Sequence, residues 1–312
     1  MNGSGVTLGL VAYRSRPHLD ALFASLSRQS VRPARILVCL NGGDDGTRAF
    51  LGDRAPEALI LEPGGNVGFA RGMNLLIARA ETAYFLAVNP DVVLADDFIE
   101  RALAAMCSDP RIAAVGGKTL RPAVGGAPRR IDSAGHRLQP WFRVVDRGAG
   151  EIDRGRYDRF EDVVGVCAAA ALYERSALLA VAEDGQVFDE DFWMYKEDVD
   201  LSFRLREAGR RVVYEPAAVA THARGFAAEN RTRVDPRLRR RSFCNHHLLL
   251  WKHWSPARDF LRLPLILLFE AAAVLAMMLR EPGTLAGLGD ALSLRPRMIA
   301  KRRARRAALG KG

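Results

Sequence analysis

An α/β fold, a mostly parallel central sheet with helices on both faces, is predicted for the first 223 residues, and three observations predict it. Short apolar runs begin near residues 6, 35, 58, 83 and 112, and stretches of helical spacing separate them. Each run ends in a loop rich in Gly, Asn or Asp, and in open α/β sheets ligands collect beyond such strand ends. After residue 223 the composition changes, so residues 224–312 are expected to form a separate basic, hydrophobic helical region.

The first run, residues 6–13 (VTLGLVAY), suits a buried strand, and helical spacing follows over 19–26. RILVCL at 35–40 is a second strand that passes into the tight loop NGGDDGT. A third strand at 58–61 leads to EPGGNVGFARGMN and a helix reaching residue 80. AYFLAV at 83–88 stops at Asn89-Pro90-Asp91, because proline cannot continue a ladder. A helix over 95–106 and a strand at 112–115 come next. Residues 121–161, rich in Arg, Gly and Pro and containing Ile131-Asp132 and Trp141-Phe142, read as irregular strands and a mobile loop. VVGVCAAAALY at 163–173 returns as a core strand, and 211–214 is the last strand before Thr221-His222.

The chain has 312 residues, 49% of them hydrophobic, enough to bury a full core. Its formal charge of +10 is uneven, with 27 Lys/Arg against 30 Asp/Glu up to residue 223 and 19 against 6 beyond it. Four scattered cysteines offer neither metal-ligand spacing nor a disulfide framework. No basic start followed by a long apolar run marks a secretory signal, so a reducing cytoplasm is expected.

Three stretches carry candidate chemistry. FDEDFWMYKEDVDLSFRLREAG, residues 188–209, is an acidic, aromatic loop opening a helix, with Glu197, Asp198 and Asp200 in its first turn. Acids there complement the helix dipole, or one of them faces a cleft as a general base. Asp91 is held at the sheet rim, either as an ordinary turn residue or as a ligand for a hard divalent cation beside phosphate. The glycine-rich 64–74 segment opens a helix whose N–H groups suit an anion, but its spacing is neither a P-loop nor GxGxxG.

Taken in series, YRSRPHLDALFASLSRQ, NGGDDGT, GGNVGFARGMN, FLAVNPDVVL, FDEDFWMYKEDVDLSFRLREAG and a final His resemble the family 2 glycosyltransferases of GT-A fold. NPDVVL and EDVDLSFRL are most similar to the rhamnosyltransferase branch acting on cell-envelope polysaccharide. The resemblance spans residues 6–222 and implies a Rossmann-like GT-A domain over 1–223. It places Ala12 and Tyr13 in the nucleoside pocket and Asn41 and Asp45 at base and ribose. Asn66, Arg71 and Asn74 form the next wall, with Asn89 beside the donor. Asp91, completed by His222, would hold Mn2+ or Mg2+ against the diphosphate. Asp198 is the implied general base, with Glu197 the other acid of the catalytic pair. Two departures stand out: Leu40 occupies a position that is usually Asp, and Asn89 replaces the first Asp of Asp-x-Asp.

The implied reaction is an inverting, metal-assisted transfer with dTDP-rhamnose as the leading donor and UDP-galactofuranose or a UDP-hexose as alternatives. A glycan or polyprenyl-diphosphate-linked saccharide is the expected acceptor. A non-catalytic sugar-nucleotide or membrane-binding scaffold and a nucleotidyltransferase are weighed against it. Trp193 and Tyr195 suit either sugar stacking or packing, and Asp189, Glu190 and Asp191 either acceptor placement or a solvated turn. His136, His246, His247 and His253 read as surface or interfacial residues. In the tail, RLRRR at 237–241, the apolar segment 261–279 and KRRARR at 301–306 suggest helices on an anionic membrane surface. Arg262, Pro264 and Glu270 interrupt the apolar segment and argue against a simple span. A packing arm or homodimer contact is the other reading, and without a recognised module nucleic acid is not expected. The expected location is cytoplasmic, peripheral on the inner face of the cell membrane.

Overall fold

The structure is a computed structural model that describes residues 5–43, 45–123, 125–223 and 234–310. The boundary expected at 223/224 meets residues outside that set.

Four strands, β1 (Val6–Ala12), β2 (Arg35–Leu40), β3 (Leu59–Leu61) and β4 (Tyr84–Val88), pair in parallel in the order β3-β2-β1-β4. Every β1 residue is buried, which is why its run shows no polar alternation. Three helices connect them: α1 (Arg16–Ser27), α2 (Thr47–Arg54) and α3 (Gly68–Arg79). Pro17 stands in the first turn of α1, where its missing N–H costs no helical bond. α3 lies close on β1 because Gly72 has no side chain; a Cβ there would stand 2.8 Å from Val11.

β5 (Val92–Leu94) and α4 (Phe98–Cys107) precede β6 (Ile112–Leu120), which is longer than expected. Residues 121–161 contain β7 (Ile131–Ser133), β8 (His136–Leu138), β9 (Val144–Asp146) and β10 (Glu161–Asp162). β7 extends the sheet beside β6, while β8 and β9 form a separate hairpin. Within 163–173 only β11 (Ala170–Glu174) is strand, running antiparallel between β4 and β6. The stretch before it crosses the start of a helix instead, and there the Val166 N–H donates to Ser202 Oγ at 3.3 Å.

After α5 (Arg175–Ala180) comes α6 (Glu197–Glu207), and then β12 (Arg211–His222). β12 runs well past residue 214 through an irregularity at 215–219 and pairs in parallel with β6. The sheet is therefore parallel around β1 and mixed around β6.

The tail forms α7 (Pro236–His253), α8 (Pro256–Asp259), α9 (Leu263–Arg280) and α10 (Ala286–Ala308). Leu248, Leu249, Ala291 and Met298 share a core with Phe192, Val199 and Phe203, so α7 and α10 pack directly on α6. Buried ion pairs lock this contact. Lys252, fully buried, meets Glu183, Asp189 and Asp200 at 2.7, 2.6 and 2.8 Å. Lys301 bridges Asp189 and Asp191, and Arg305 joins Glu183 and Glu207. The packing-arm reading therefore holds for α7 and α10. By contrast, residues 256–280 form a stretch long and apolar enough to cross a membrane by length and composition, and only 6% of its apolar 18-residue window is buried.

Candidate active site

The carboxyl ends of β1 to β4 build one rim. At the end of β1 the Ala12 carbonyl accepts from the Asn41 N–H at 2.8 Å, and the exposed Tyr13 follows. Asn41, buried at the end of β2, donates from Nδ2 to Asn66 Oδ1 at 3.0 Å and accepts the Val67 N–H at 2.7 Å. One side chain thus joins the loops after β2 and β3. Asp45 accepts the N–H groups of Arg16 and Thr47 at 2.9 and 3.2 Å, tying the first turns of α1 and α2 together. Burial would raise its carboxyl, but these bonds hold it below the ordinary value. Arg71 is exposed on α3. Asn74 faces the acidic loop: its amide donates to the Phe188 carbonyl and accepts the Phe188 N–H, each at 2.8 Å.

The metal-type cluster forms where β12 ends beside the loop after β4. His222 Nε2 lies 3.4 Å from Asp91 Oδ1, and His222 Nδ1 lies 2.9 Å from Asp132 Oδ2. Asp132, on β7, is fully buried. Burial opposes protonation of His222, yet the bonds and charges of Asp132 and Asp91 lift it to about 9. Burial likewise raises Asp91, but the hydrogen bond and charge of His222 hold its carboxyl below the ordinary value. The donor chemistry fits a divalent cation. Two neighbouring ligands of an octahedral ion at about 2.1 Å lie roughly 3 Å apart, near the Asp91–His222 spacing. A buried carboxylate behind the histidine is the usual way to orient a ligating ring. Among the described residues, His136, Asp146 and Cys167 also bring one ligand atom each within 4.8 Å of one another, a mixed N/O/S set of the kind zinc accepts. That group joins the hairpin to the 163–169 crossing, where Cys167 precedes the Ala168 that bonds Asp198.

Asp198 reaches the same rim through two backbone bonds. The Asn89 N–H donates to the Ala169 carbonyl at 2.8 Å, and the neighbouring Ala168 N–H donates to Asp198 Oδ2 at 3.2 Å. The metal loop and the acidic helix are therefore joined across the start of β11. Asp198 is half-buried, with Oδ1 accepting the Val199 N–H at 2.8 Å. Glu197 is buried instead, and burial together with the charge of Asp198 keeps its carboxyl protonated well above the ordinary range. Asp200 belongs to the tail's ion network: burial opposes its charge, but Lys252, Arg204 and His253 hold it far below the ordinary value.

The loop before α6 has left-handed backbone at Trp193, Tyr195 and Lys196, which non-glycine residues adopt only when their surroundings impose it. Asn245 of α7, completely buried, imposes it: its Nδ2 lies 2.8, 2.8 and 2.7 Å from the carbonyls of Phe192, Met194 and Tyr195. Gly68 is required opposite, since a Cβ there would stand 2.4 Å from the Trp193 ring. The expected choices resolve accordingly. Asp189 and Asp191 are ion-paired with the tail rather than solvated or facing a sugar. His136, His246, His247 and His253 are all buried, each beside a carboxylate. The sequence names Asp132 only within the 121–161 stretch and does not single out Asn245. Asp132 adjoins Ser133 and Asn245 adjoins His246 and His247, so neither stands out from polar neighbours.

Residues 4–243 match the family model described as "Glycosyltransferase like family 2", and the chain belongs to that family. It is 31% identical over 231 residues to the N-acetylglucosaminyl-diphospho-decaprenol L-rhamnosyltransferase of Mycobacterium tuberculosis (strain ATCC 25618 / H37Rv), covering 68% of this chain and 74% of that one. Among solved structures it resembles GalNAc-T7 with UDP, GalNAc and Mn2+ at TM-score 0.61 and 10% identity, over 83% of this chain and 50% of that one. It also resembles the mannosyltransferase PcManGT from Pyrobaculum calidifontis in complex with GDP-Man and Mn2+, at TM-score 0.57 and 18% identity, over 98% and 85%. The chain spans about half the length of the first of these structures. The fold is GT-A, and the protein is a glycosyltransferase.

Proposed function

We propose that this enzyme transfers rhamnose from dTDP-rhamnose to a saccharide carried on a polyprenyl diphosphate, inverting the anomeric carbon, while seated on the inner face of the membrane. The observation that carries this reading is the bonded path from Asn89 through Ala169 and Ala168 to Asp198, which joins the loop bearing Asp91 to the helix bearing Asp198. The named sugar and diphospho-lipid acceptor of the 31% identical relative support the substrate classes.

Ala12, Tyr13, Asn41, Asp45, Asn66, Arg71, Asn74 and Asn89 form the donor wall, the asparagines and Asp45 chiefly by fixing the loops that touch it. Asp91 and His222 would hold a divalent cation, Mn2+ or Mg2+, which supplies charge neutralisation for the departing diphosphate. Asp198 removes the proton of the acceptor hydroxyl as it attacks opposite the leaving group, and a placed base contributes roughly 10²–10⁴-fold. Burial and the Asp198 charge push the Glu197 carboxyl upward, which disfavours a second negative charge beside that base.

Glu270 does not interrupt the outward face of α9. It turns inward to His246 Nε2 at 2.6 Å and His247 Nε2 at 3.0 Å. Leu265, Leu268, Leu275 and Leu279 continue at helical spacing from Leu261, all exposed. Inserting such a stripe into the acyl boundary gains about 1.5–3 kcal/mol per fully buried leucine.

The test is a panel of sugar nucleotides with and without Mn2+ or Mg2+, scored by nucleoside diphosphate release and by NMR of the product anomer. dTDP-rhamnose should be the best donor, with an inverted product. A retained anomer would reject the single displacement. UDP-galactofuranose or a UDP-hexose is the second reading: Leu40, which packs against the core at the end of β2, offers no carboxylate to a base, so this position does not select thymine over uracil.

A further inference from the structure

We propose that His136, Asp146 and Cys167 form a second metal site, one for Zn2+, that ties the β8–β9 hairpin to the crossing before β11. It depends neither on the transferase reading nor on the cation proposed at Asp91 and His222.

The backbone brings the three ligands together. His136 opens β8, Asp146 closes β9, and the two are directly paired across the antiparallel hairpin. Side chains paired in this way leave a hairpin on one face. On its other edge His136 bridges Gly165, its N–H donating to the Gly165 carbonyl at 2.7 Å. Cys167 follows two residues later, the spacing that returns a side chain to the same face of an extended chain. Gly165 leaves room for the ring, since a Cβ there would stand 3.0 Å from His136 Nδ1. One ligand atom from each of the three residues lies within 4.8 Å of the others, and among the described residues no other trio of His, Cys, Asp and Glu converges so closely.

The donor set selects the metal. His136 Nε2 stands 3.5 Å from Asp146 Oδ1. Two nitrogen or oxygen ligands of a tetrahedral zinc, each about 2.0–2.2 Å from the ion, lie roughly 3.4 Å apart. The ion therefore enters between them with little movement. Imidazole and thiolate suit zinc, whereas Mg2+ and Mn2+ prefer carboxylates, carbonyls and water. Cys167 gives its thiol proton to solvent on binding, and thiolate and carboxylate together then match the two charges of the ion. Lys196 is a cation that feels Asp146, but it feels Asp198 and Glu197 as well, so it keeps counter-charges once the metal takes Asp146. Three protein ligands leave the fourth position to water. The ion acts through the backbone that follows it. The Ala168 N–H bonds Asp198 and the Ala169 carbonyl accepts the Asn89 N–H, so fixing Cys167 stiffens the link between the acidic helix and the loop bearing Asp91.

The test uses the full chain, stripped of metal with a chelator, kept reduced, and supplied with excess Mg2+ to fill oxygen-rich sites. One equivalent of Co2+ should produce a thiolate-to-cobalt charge-transfer band and the intense visible absorption of a tetrahedral ion, and Zn2+ should bleach both. Cys167→Ser should abolish the band, whereas Cys107→Ser, at an exposed cysteine, should keep it. His136→Gln and Asp146→Asn should each weaken Zn2+ binding by more than the about 10–100-fold that loss of an outer-shell partner costs. Two measurements need no variant. Zn2+ should protect Cys167 from iodoacetamide while Cys107 stays reactive, and it should slow amide hydrogen exchange over residues 163–170. A wild type with no thiolate band at equimolar Co2+, a band that survives Cys167→Ser, or equal alkylation of Cys167 with and without Zn2+ overturns the site. Unchanged Zn2+ affinity in both His136→Gln and Asp146→Asn does so too. Unchanged exchange over 163–170 with zinc bound overturns its bracing role.

Discussion

The two sides of the rim are built by different physics. On the side proposed for the donor, short parallel strands end in glycine- and asparagine-rich loops, and neutral hydrogen bonds such as those of Asn41 hold the loops in register. On the side proposed for the acceptor, a strained loop and the first turn of α6 are held by a helical tail through buried charges and the Asn245 clamp. The first design tolerates sequence change wherever backbone geometry survives. The second concentrates its dependence in a few side chains whose partners are remote in the chain, so single substitutions there should be costly.

The largest effect is expected where the two sides meet. Asp198→Asn should lower kcat roughly 10²–10⁴-fold while nucleoside diphosphate titrations match wild type; near-normal turnover would break the assignment of the base. Lys252→Met comes next. It takes one cation from Glu183, Asp189 and Asp200, which keep Arg305, Lys301, Arg204 and His253, and removing one partner of a buried ion pair costs about 3–5 kcal/mol. Urea unfolding should show that loss, whereas Arg71→Ala, on the exposed donor wall, should leave the midpoint close to wild type. A smaller effect is expected behind the proposed ligands Asp91 and His222: Asp132→Asn should weaken Mn2+ affinity about 10–100-fold, read by isothermal titration.

The mildest effect at neutral pH is the acid response of the tail. Burial alone would raise Glu207, but His253 and Arg305 hold it at about 2, against an ordinary 4.5. Because the folded value is depressed, its contribution is complete above about pH 4.5 and is lost as pH falls through about 2. Acid titration followed by tryptophan fluorescence should therefore report changes around α7, which carries Trp251, before the parallel sheet unfolds. Simultaneous loss of both would show that the two sides do not differ in this respect.

Much of the donor side was legible before any coordinates. Apolar runs mark β1 to β4 because strands buried on both faces need no polar alternation, and their polar ends mark the rim. The stretch at 163–173 reads as one strand, yet only 170–173 join the ladder; before them Gly165 makes a single bridge to His136 and the chain turns to meet Ser202 and Asp198. Glu197 and Asp198 are adjacent and chemically alike in the sequence, but one is buried with its carboxyl pushed upward and the other half-exposed on the rim. Glu270 reads as an interruption of an apolar helix, and only the position of His246 and His247 turns it inward.

The sequence by itself determined the α/β class, the order of the first strands, the location of the polar rim and the excess positive charge of the tail. All of these follow from local periodicity and composition. Tertiary structure decided that α7 and α10 brace the acidic helix, that Asp132 stands behind His222, and that α9 keeps an unbroken apolar face. Those outcomes depend on charges and amides meeting across long separations in the chain. Pairing of that kind is set by how the elements pack, and the residues' own neighbours carry no record of it.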